Sequence, residues 1–512
     1  MEKINLCMMR IVPILFFFVT KTGCVNQGNE DVKARDQTFS KELSQLKEYF
    51  HIPGLAVIVK KGSQTIYENY LGFADLANQA TMDSVTTVPM ASLTKIFTGI
   101  LMMQLVEEGK ISLDEPINKY STDQNIPDSI KIKHVLSHTS QGNLGQHFYY
   151  SGRFGWLTSV IEKVHKASFE DVIIEKIIVP LELKNTFLLK DSSRIFNGKR
   201  KIAQPYLFDG EIKGGFIDYG YSASAGLTST IRDLAIFSEA LDKNILINEQ
   251  SKSVMFAPFK KGLEYGYGVF SQEFQNKKLV WAYGQYDCYS SLILKVPENQ
   301  LSFIIAANNN LISDPARLIY GDITYSLFAL SFLKNFVFEQ SGVLLLEDED
   351  SLNTLVNRVN GNNSTFYRKK LVAQSIAESF MGVFDSSRTE KSKNILRRLF
   401  TIFPDYDAYG DLTLLHNLTI LKSIAQNTGQ SDFIDFDKQL ETIGKKLLSI
   451  DSSNPYANYY LADYYLGKGA IDSTGRYYDR IINAGNYSRN WYTTEAENWI
   501  KKTRGKVTSA NK

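Results

Sequence analysis

The stretch Met90-Ala-Ser-Leu-Thr-Lys-Ile-Phe97, with the apolar run that continues to Gly109, constrains this chain more than any other. Read at helical spacing, Leu93, Ile96, Phe97, Ile100, Leu101, Met102, Met103, Leu105 and Val106 cover every side of one helix, so the helix is buried all round. Its only charge before Glu107 is Lys95. An ammonium taken out of water must be paired or lose its proton. Ser92 sits one helical turn earlier on the same face, at the helix N-terminus, where backbone N–H groups lack intrahelical partners. A hydroxyl, an adjacent base and a ready cluster of donors are the parts of an activated nucleophile. The plainer alternative is a serine N-cap followed by a lysine that snorkels to water. Ser-x-x-Lys also occurs at Ser44 to Lys47 and at Ser331 to Lys334, in amphipathic or terminal stretches where lysine is expected to reach solvent. The wholly apolar setting singles out Ser92.

At 512 residues the chain is too long for one compact core and predicts two or more domains. A net charge of +2 without a long basic run disfavours nucleic acid as a partner. Near the N-terminus, Lys3 and Arg10 lead into a short apolar core from Ile11 to Thr20, followed by Lys21-Thr-Gly-Cys24. That core is too short to span a bilayer and reads as an export signal. Gly23-Cys24 resembles the lipobox of bacterial lipoproteins, which implies a lipid on Cys24 and a periplasmic, outer-membrane or cell-surface location. Lys21 departs from the apolar residue usual there, and the alternative is an ordinary secretory signal with an incidental Cys. With Cys7 removed and Cys24 lipidated, Cys288 is left without a disulfide partner.

The order of elements predicts five segments: a signal over 1–24, a tether over 25–39, an α/β domain over 40–340, a linker over 341–364 and a helical domain over 365–512. A helix from Ser40 leads into a strand from Gly54 to Lys60 and its hairpin return from Gln64 to Gly72. Amphipathic helices follow at Phe154 to Lys166, at Ser168 to Ile178 and from about Thr230. Strands return at Lys278 to Trp281, Ser290 to Val296 and Leu301 to Ala307, and a helix from Pro315 to Phe338 closes the domain. Strands early and late around a helical middle fit one sheet assembled from both ends, with helices covering it. Glu347-Asp-Glu-Asp350 and Asn360-Gly-Asn-Asn-Ser364 read as linker or exposed loop. Asn458 to Ile482 resembles a tetratricopeptide helix pair, its aromatic residues serving either inter-helix packing or a groove for a protein partner.

Seven segments, in order, resemble the serine β-lactamase and penicillin-binding-protein superfamily, specifically class C β-lactamase-like hydrolases. They are Ser92-Leu-Thr-Lys95, Val106 to Asp114, His134 to Ser140, Tyr150-Ser151, Pro180 to Thr186, Ala225 to Thr230 and Ser290 to Pro297. The resemblance implies an antiparallel sheet flanked by helices with an all-α subdomain, followed here by an all-α C-terminal domain. It implies that Ser92 is acylated, that Lys95 helps remove its proton, and that Tyr150 acts as general base and later as acid. Lys95 and Tyr150 are expected to share one proton, burial disfavouring the ammonium and the nearby cation favouring phenolate. The backbone N–H groups of Ser92 and Gln285 form the implied oxyanion hole, with Gly152, Tyr283 and Gly284 lining the substrate site.

Two positions depart from the pattern. Gly152 stands where Asn normally holds a substrate amide, and Ala282 where His or Lys is usual. A missing polar donor commonly costs about a hundredfold for substrates that used it. The expected enzyme is therefore an esterase or peptidase for small esters or amides, including D-amino-acid peptides of the cell-wall type, with weak or no β-lactamase activity. The rival is a binding protein without turnover that recognises partners through its C-terminal helices. His138 reads as structural and Cys288 as a small buried hydrophobe. Arg153 either replaces the missing positive charge or is a solvated helix start, and a shift of one residue would exchange Tyr149 with Tyr150. No metal or organic cofactor is implied.

Overall fold

Gly62, at φ +55, turns strand β1 (Gly54–Lys61) back into β2 (Gln64–Asp75), with Leu55 opposite Leu71. The other edge of β1 takes β12 (Leu301–Ala307) antiparallel, Leu55 facing Ala307 and Val59 facing Phe303. The sheet grows outward from that pair through β11 (Tyr289–Val296), β10 (Lys277–Tyr286) and β9 (Phe270–Phe274), while β3 (Ala80–Thr81) extends the β2 edge. The result is seven antiparallel strands in the order β3-β2-β1-β12-β11-β10-β9. Strands from both ends of the domain thus meet at the centre of one sheet. A smaller sheet joins β4 (Val88–Ala91), β5 (Phe187–Leu188) and β8 (Leu227–Ser229), and β6 (Tyr206–Phe208) pairs with β7 (Ile212–Gly214). The computed structural model describes residues 24–121, 123, 125–193, 201–340, 342–404, 411–428, 434–484 and 491–510.

The period-two pattern of the strands divides the core in two. Leu55, Val57, Leu292, Leu294, Phe303 and Ile305 face helices α1 (Cys24–Tyr49) and α8 (Leu327–Phe332), whereas Ala56, Ile58, Ile293, Ile304 and Ala306 face the opposite cluster. That second cluster contains α2 (Thr94–Glu107), α3 (Ile132–Leu136), α4 (Leu157–His165), α5 (Phe169–Ile173), α6 (Ile231–Asp242) and α7 (Glu249–Phe256). Local chemistry sets several starts. The Ser168 and Thr230 hydroxyls accept from the Asp171 and Asp233 N–H groups, each at 3.1 Å.

Three expectations change. The first helix begins at Cys24 rather than Ser40, so the segment 25–39 read as a tether is helical. Phe39 completes the stripe of Leu43, Leu46 and Phe50, and its ring meets those of Tyr67 and Phe336 at 4.9 and 5.0 Å. The closing helix from Pro315 to Phe338 is broken into shorter pieces, with Gly321 at φ +92 and the Asp322 side chain accepting from Thr324 N–H at 2.9 Å. The stretch 342–364 is not a free linker: Leu352 and Leu355 enter the core and Glu347 is buried between Lys370 and Arg358, while Asp348 to Asp350 and Asn360 to Asn362 are exposed as expected. Residues 1–23, with the export-signal core, lie outside the described residues, as does the side chain of Cys24. Among the described residues, no helix is long and apolar enough to cross a membrane.

The C-terminal half is helical: α9 (Glu349–Asn353), α10 (Leu355–Arg358), α11 (Ser364–Gly382), α12 (Ser386–Ile402), α13 (Leu412–Thr428), α14 (Ile434–Ile450), α15 (Pro455–Gly467), α16 (Ile471–Asn483) and α17 (Trp491–Ala510). Its apolar residues merge with those beneath α1 and α8. Polar contacts cross the same boundary. Arg317 Nε donates to His416 Nε2 at 2.8 Å, Lys369 Nζ meets Asp322 Oδ2 at 2.7 Å, and Tyr320 bonds Tyr460.

Candidate active site

β4 ends at Ala91, held at φ +46, and the chain turns through Ser92 and Leu93 into α2. A non-glycine residue held there costs on the order of 1–3 kcal/mol and persists only when its surroundings over-determine it. They do so here. Thr94 Oγ1 donates to Ala91 O at 2.7 Å and accepts from Leu227 N–H at 3.0 Å, and Ser291 Oγ donates to Met90 O at 3.0 Å. The turn leaves Ser92 partly exposed, although every residue from Leu93 to Met103 is buried. The cap position of α2 falls on Leu93, which makes no side-chain cap bond, so the hydroxyl of Ser92 is not spent on capping.

Lys95 is 3% exposed. Its Nζ lies 2.9 Å from Ser92 Oγ and 2.9 Å from Ser224 O, and 4.9 Å from the centre of the Tyr150 ring. No carboxylate pairs with it among the described residues, and burial alone pulls its pKa down to about 7. The snorkelling alternative is thereby excluded. Ser224 is a contributor that sequence reasoning missed. Its signal was the run of small residues from Ser222 to Gly226, which lets the backbone approach the amine, with Gly226 at φ +113.

The segment after α3 brings Tyr150 to the same place. His138, at φ +54, is fully buried and stacks on the phenol at 4.4 Å, while its Nδ1 accepts from Ser151 N–H at 3.0 Å. Burial, helped by Lys95, holds His138 well below its ordinary pKa, so it is a neutral packing surface. Burial also raises Tyr150 above its ordinary value, against a hydrogen bond with Ser92. The expected phenolate is therefore corrected: the low-dielectric setting that neutralises the amine also keeps the phenol protonated. Tyr149, its neighbour in sequence, is buried and donates to Asp451 of the C-terminal half. Arg153 Nη1 donates to Ser140 O at 2.6 Å and its guanidinium lies 5.2 Å from the Trp156 ring centre, so it is not a solvated helix start.

The opposite wall is β10. A Cβ on Gly284 would come within 1.8 Å of Met90 O, so only glycine lets this strand pass the end of β4. Gln285 follows at the same rim, partly exposed. Ala282 and Tyr283 point to opposite faces, Ala282 into the cluster beneath α2 and Tyr283 toward Tyr150, with ring centres 5.8 Å apart. Gly152 is exposed, with nothing within 4 Å of where a Cβ would stand. Cys288 is fully buried, and its Sγ accepts from Phe216 N–H at 3.4 Å. Among the described residues, no group of three or more His, Cys, Asp and Glu side chains is gathered as metal ligands would be.

Sheet, strained turn and buried amine together define the class, proteins of the β-lactamase fold with a serine and a buried lysine paired at the start of one helix. The Beta-lactamase family matches residues 39–320, more than half of the chain, and the chain belongs to that family. Penicillin-binding protein 4* of Bacillus subtilis is 22% identical over 312 residues, 49% of this chain and 67% of the relative. Unguisins hydrolase ungD' of Aspergillus campestris is 24% identical over 55% of this chain, and Protein flp of Staphylococcus aureus 22% identical over 51%. The chain spans 63% and 60% of the lengths of those two relatives. Among solved structures, the octameric penicillin-binding protein homologue from Pyrococcus abyssi shares the fold, with a TM-score of 0.52 at 20% identity over 65% of this chain and 80% of that one.

Proposed function

We propose that this protein hydrolyses small esters or amides, including D-amino-acid peptides of the cell-wall type, through an acyl-enzyme on Ser92, with weak or no β-lactamase activity. The observation that carries the reading is the Lys95 amine, without a carboxylate partner among the described residues, 2.9 Å from Ser92 Oγ and with a pKa pulled down to about 7. Near neutral pH a fraction of that amine is free to accept the serine proton as Oγ bonds the substrate carbonyl carbon. The negative oxygen so formed is stabilised by the N–H groups of Ser92 and Gln285. Tyr150, protonated, donates to the departing group as the ester or amide bond breaks, and water then cleaves the acyl-enzyme. Lys95 is the base and Tyr150 the acid in acylation.

Gly152 and Ala282 support the restriction on substrates, since neither supplies the polar group β-lactam chemistry would use there. They also favour the second reading, a binding protein without turnover whose C-terminal helices recognise a partner. Intact-mass measurement after exposure to a fluorophosphonate and, separately, a penicillin decides between them, with Ser92→Ala as control. An adduct mapped to Ser92 is expected from the fluorophosphonate. No adduct on folded protein, or equal labelling of Ser92→Ala, rejects the hydrolase. The export reading adds a lipid on Cys24 and a periplasmic or cell-surface site, which incorporation of labelled palmitate into the wild type but not Cys24→Ala would establish.

A further inference from the structure

The phenol of Tyr150 is carried by a segment with little regular structure, between Gln141 and the 3-10 turn Gly152–Trp156. Such a segment positions a proton donor only if it is fastened on both sides. One fastening comes from within the hydrolase body. Tyr149 N–H donates to His138 O at 2.9 Å, Ser151 N–H donates to His138 Nδ1 at 3.0 Å, and the imidazole stacks on the Tyr150 ring. The other comes from a point 302 residues further along the chain. Tyr149 Oη donates to Asp451 Oδ2, both groups being buried, and His147 Nδ1 lies 3.6 Å from the same oxygen.

Asp451 is itself held rigidly. It occupies the turn between α14 and α15, where its Oδ1 accepts from Ser453 N–H at 3.0 Å and Ser453 Oγ at 2.7 Å. Asn454 next to it caps α15, its Oδ1 accepting from Ala457 N–H at 2.9 Å. The carboxylate is therefore fixed to a helix start, not to a loop tip. α15 in turn is tied to the body through Tyr460 and Tyr320.

We propose that Asp451 is a positioning residue, contributed by the C-terminal helical half, that holds the Tyr150 phenol over Ser92 and Lys95 by gripping Tyr149. The helical half then completes the catalytic arrangement instead of serving only as an appendage. The inference rests on the acyl-enzyme reading for its catalytic consequence, but not for the grip itself.

The test uses the full chain with Asp451→Ala, Tyr149→Phe and Asp451→Asn, the last keeping an acceptor oxygen for the tyrosine. Two quantities are measured: hydrogen exchange at the Ser151 and Arg153 amides, and turnover of p-nitrophenyl acetate. In Asp451→Ala and Tyr149→Phe, exchange at both amides is expected to quicken and kcat to fall about tenfold, with KM within about twofold of wild type. Asp451→Asn is expected to restore most of both. Tyr149→Phe removes one oxygen, so it keeps the test alive where Asp451→Ala fails to fold. Unchanged exchange overturns the grip, and quicker exchange with unchanged kcat overturns the positioning role. A wild-type protein that neither turns over the ester nor forms a Ser92 adduct refutes the hydrolase and with it the catalytic role, while the exchange data still decide the grip.

Discussion

Ser92-Leu-Thr-Lys95 and Ser331-Phe-Leu-Lys334 have the same spacing, and in both the lysine is 3% exposed. Their surroundings are opposite. At the second, Ser331 Oγ donates to Glu42 Oε2 at 2.6 Å, Lys334 Nζ pairs with Glu42 Oε1, and Asn335 Nδ2 donates to Glu42 Oε2 at 2.8 Å. The carboxylate takes up serine and lysine together, and the result is a buried joint between α1 and the end of the body. At the first there is no carboxylate among the described residues, so the amine turns to the serine and to a backbone carbonyl. A buried lysine with an acid is a strut; without one it bonds neutral groups and its pKa falls. The expectation that Lys334 reaches water was wrong, because α1 packs its Glu42 against it.

The sharpest way to break this contrast is to remove each amine in turn. Lys95→Met should slow fluorophosphonate labelling of Ser92 by about a thousandfold at neutral pH, while the similar volume keeps the fold. A rate within about threefold of wild type would show that the amine is not the base. Lys334→Met should leave the labelling rate alone and instead strand the Glu42 carboxylate, lowering stability by about 3 kcal/mol in denaturant unfolding. Unchanged stability would mean the joint is not the strut described.

Acidity sharpens the comparison further. Only the neutral amine accepts a proton, so labelling should rise with pH through about 7, by about tenfold between pH 6 and pH 8. Stability follows the same group. The folded pKa lies below the ordinary 10.5, so the unfolded chain binds more protons between about 7 and 10.5, and this contribution to stability grows with pH across that window. It disappears in Lys95→Met. A flat labelling profile from pH 6 to 8 would reject the depressed pKa. The smallest expected effect is at Gly152, where open space accepts a side chain. Gly152→Asn should raise penicillin acylation by about three- to tenfold, measured by stopped-flow or intact mass, and no gain would show that the absence of a side-chain amide at this position does not limit that substrate.

The strands around Val57, Ile293 and Ile304 were legible because each is a short, largely apolar run buried along most or all of its length, and the starts of α5 and α6 because Ser168 and Thr230 cap within four residues. Errors fell where a short-range pattern was completed or interrupted from afar. The polar run before Ser40 became helix because Phe39 finds Tyr67 and Phe336, and Glu347, the first residue of the acidic stretch, was drawn inward by Lys370 and Arg358. Burial works to raise the Glu347 carboxyl, and those two cations overcome it and hold it below its ordinary value.

The sequence alone singled out Ser92 and Lys95, because a helix apolar on every face leaves its lone lysine no route to water, and local periodicity suffices to say so. What each serine–lysine pair is bonded to, whether the Tyr150 phenol keeps its proton, and what fastens its segment were decided only by the tertiary structure. Each depends on a partner far along the chain: Glu42 for Lys334, Ser224 for Lys95, Asp451 for Tyr149. The charge state of a buried group is set by everything within a few ångströms of it, and no window of sequence contains that neighbourhood.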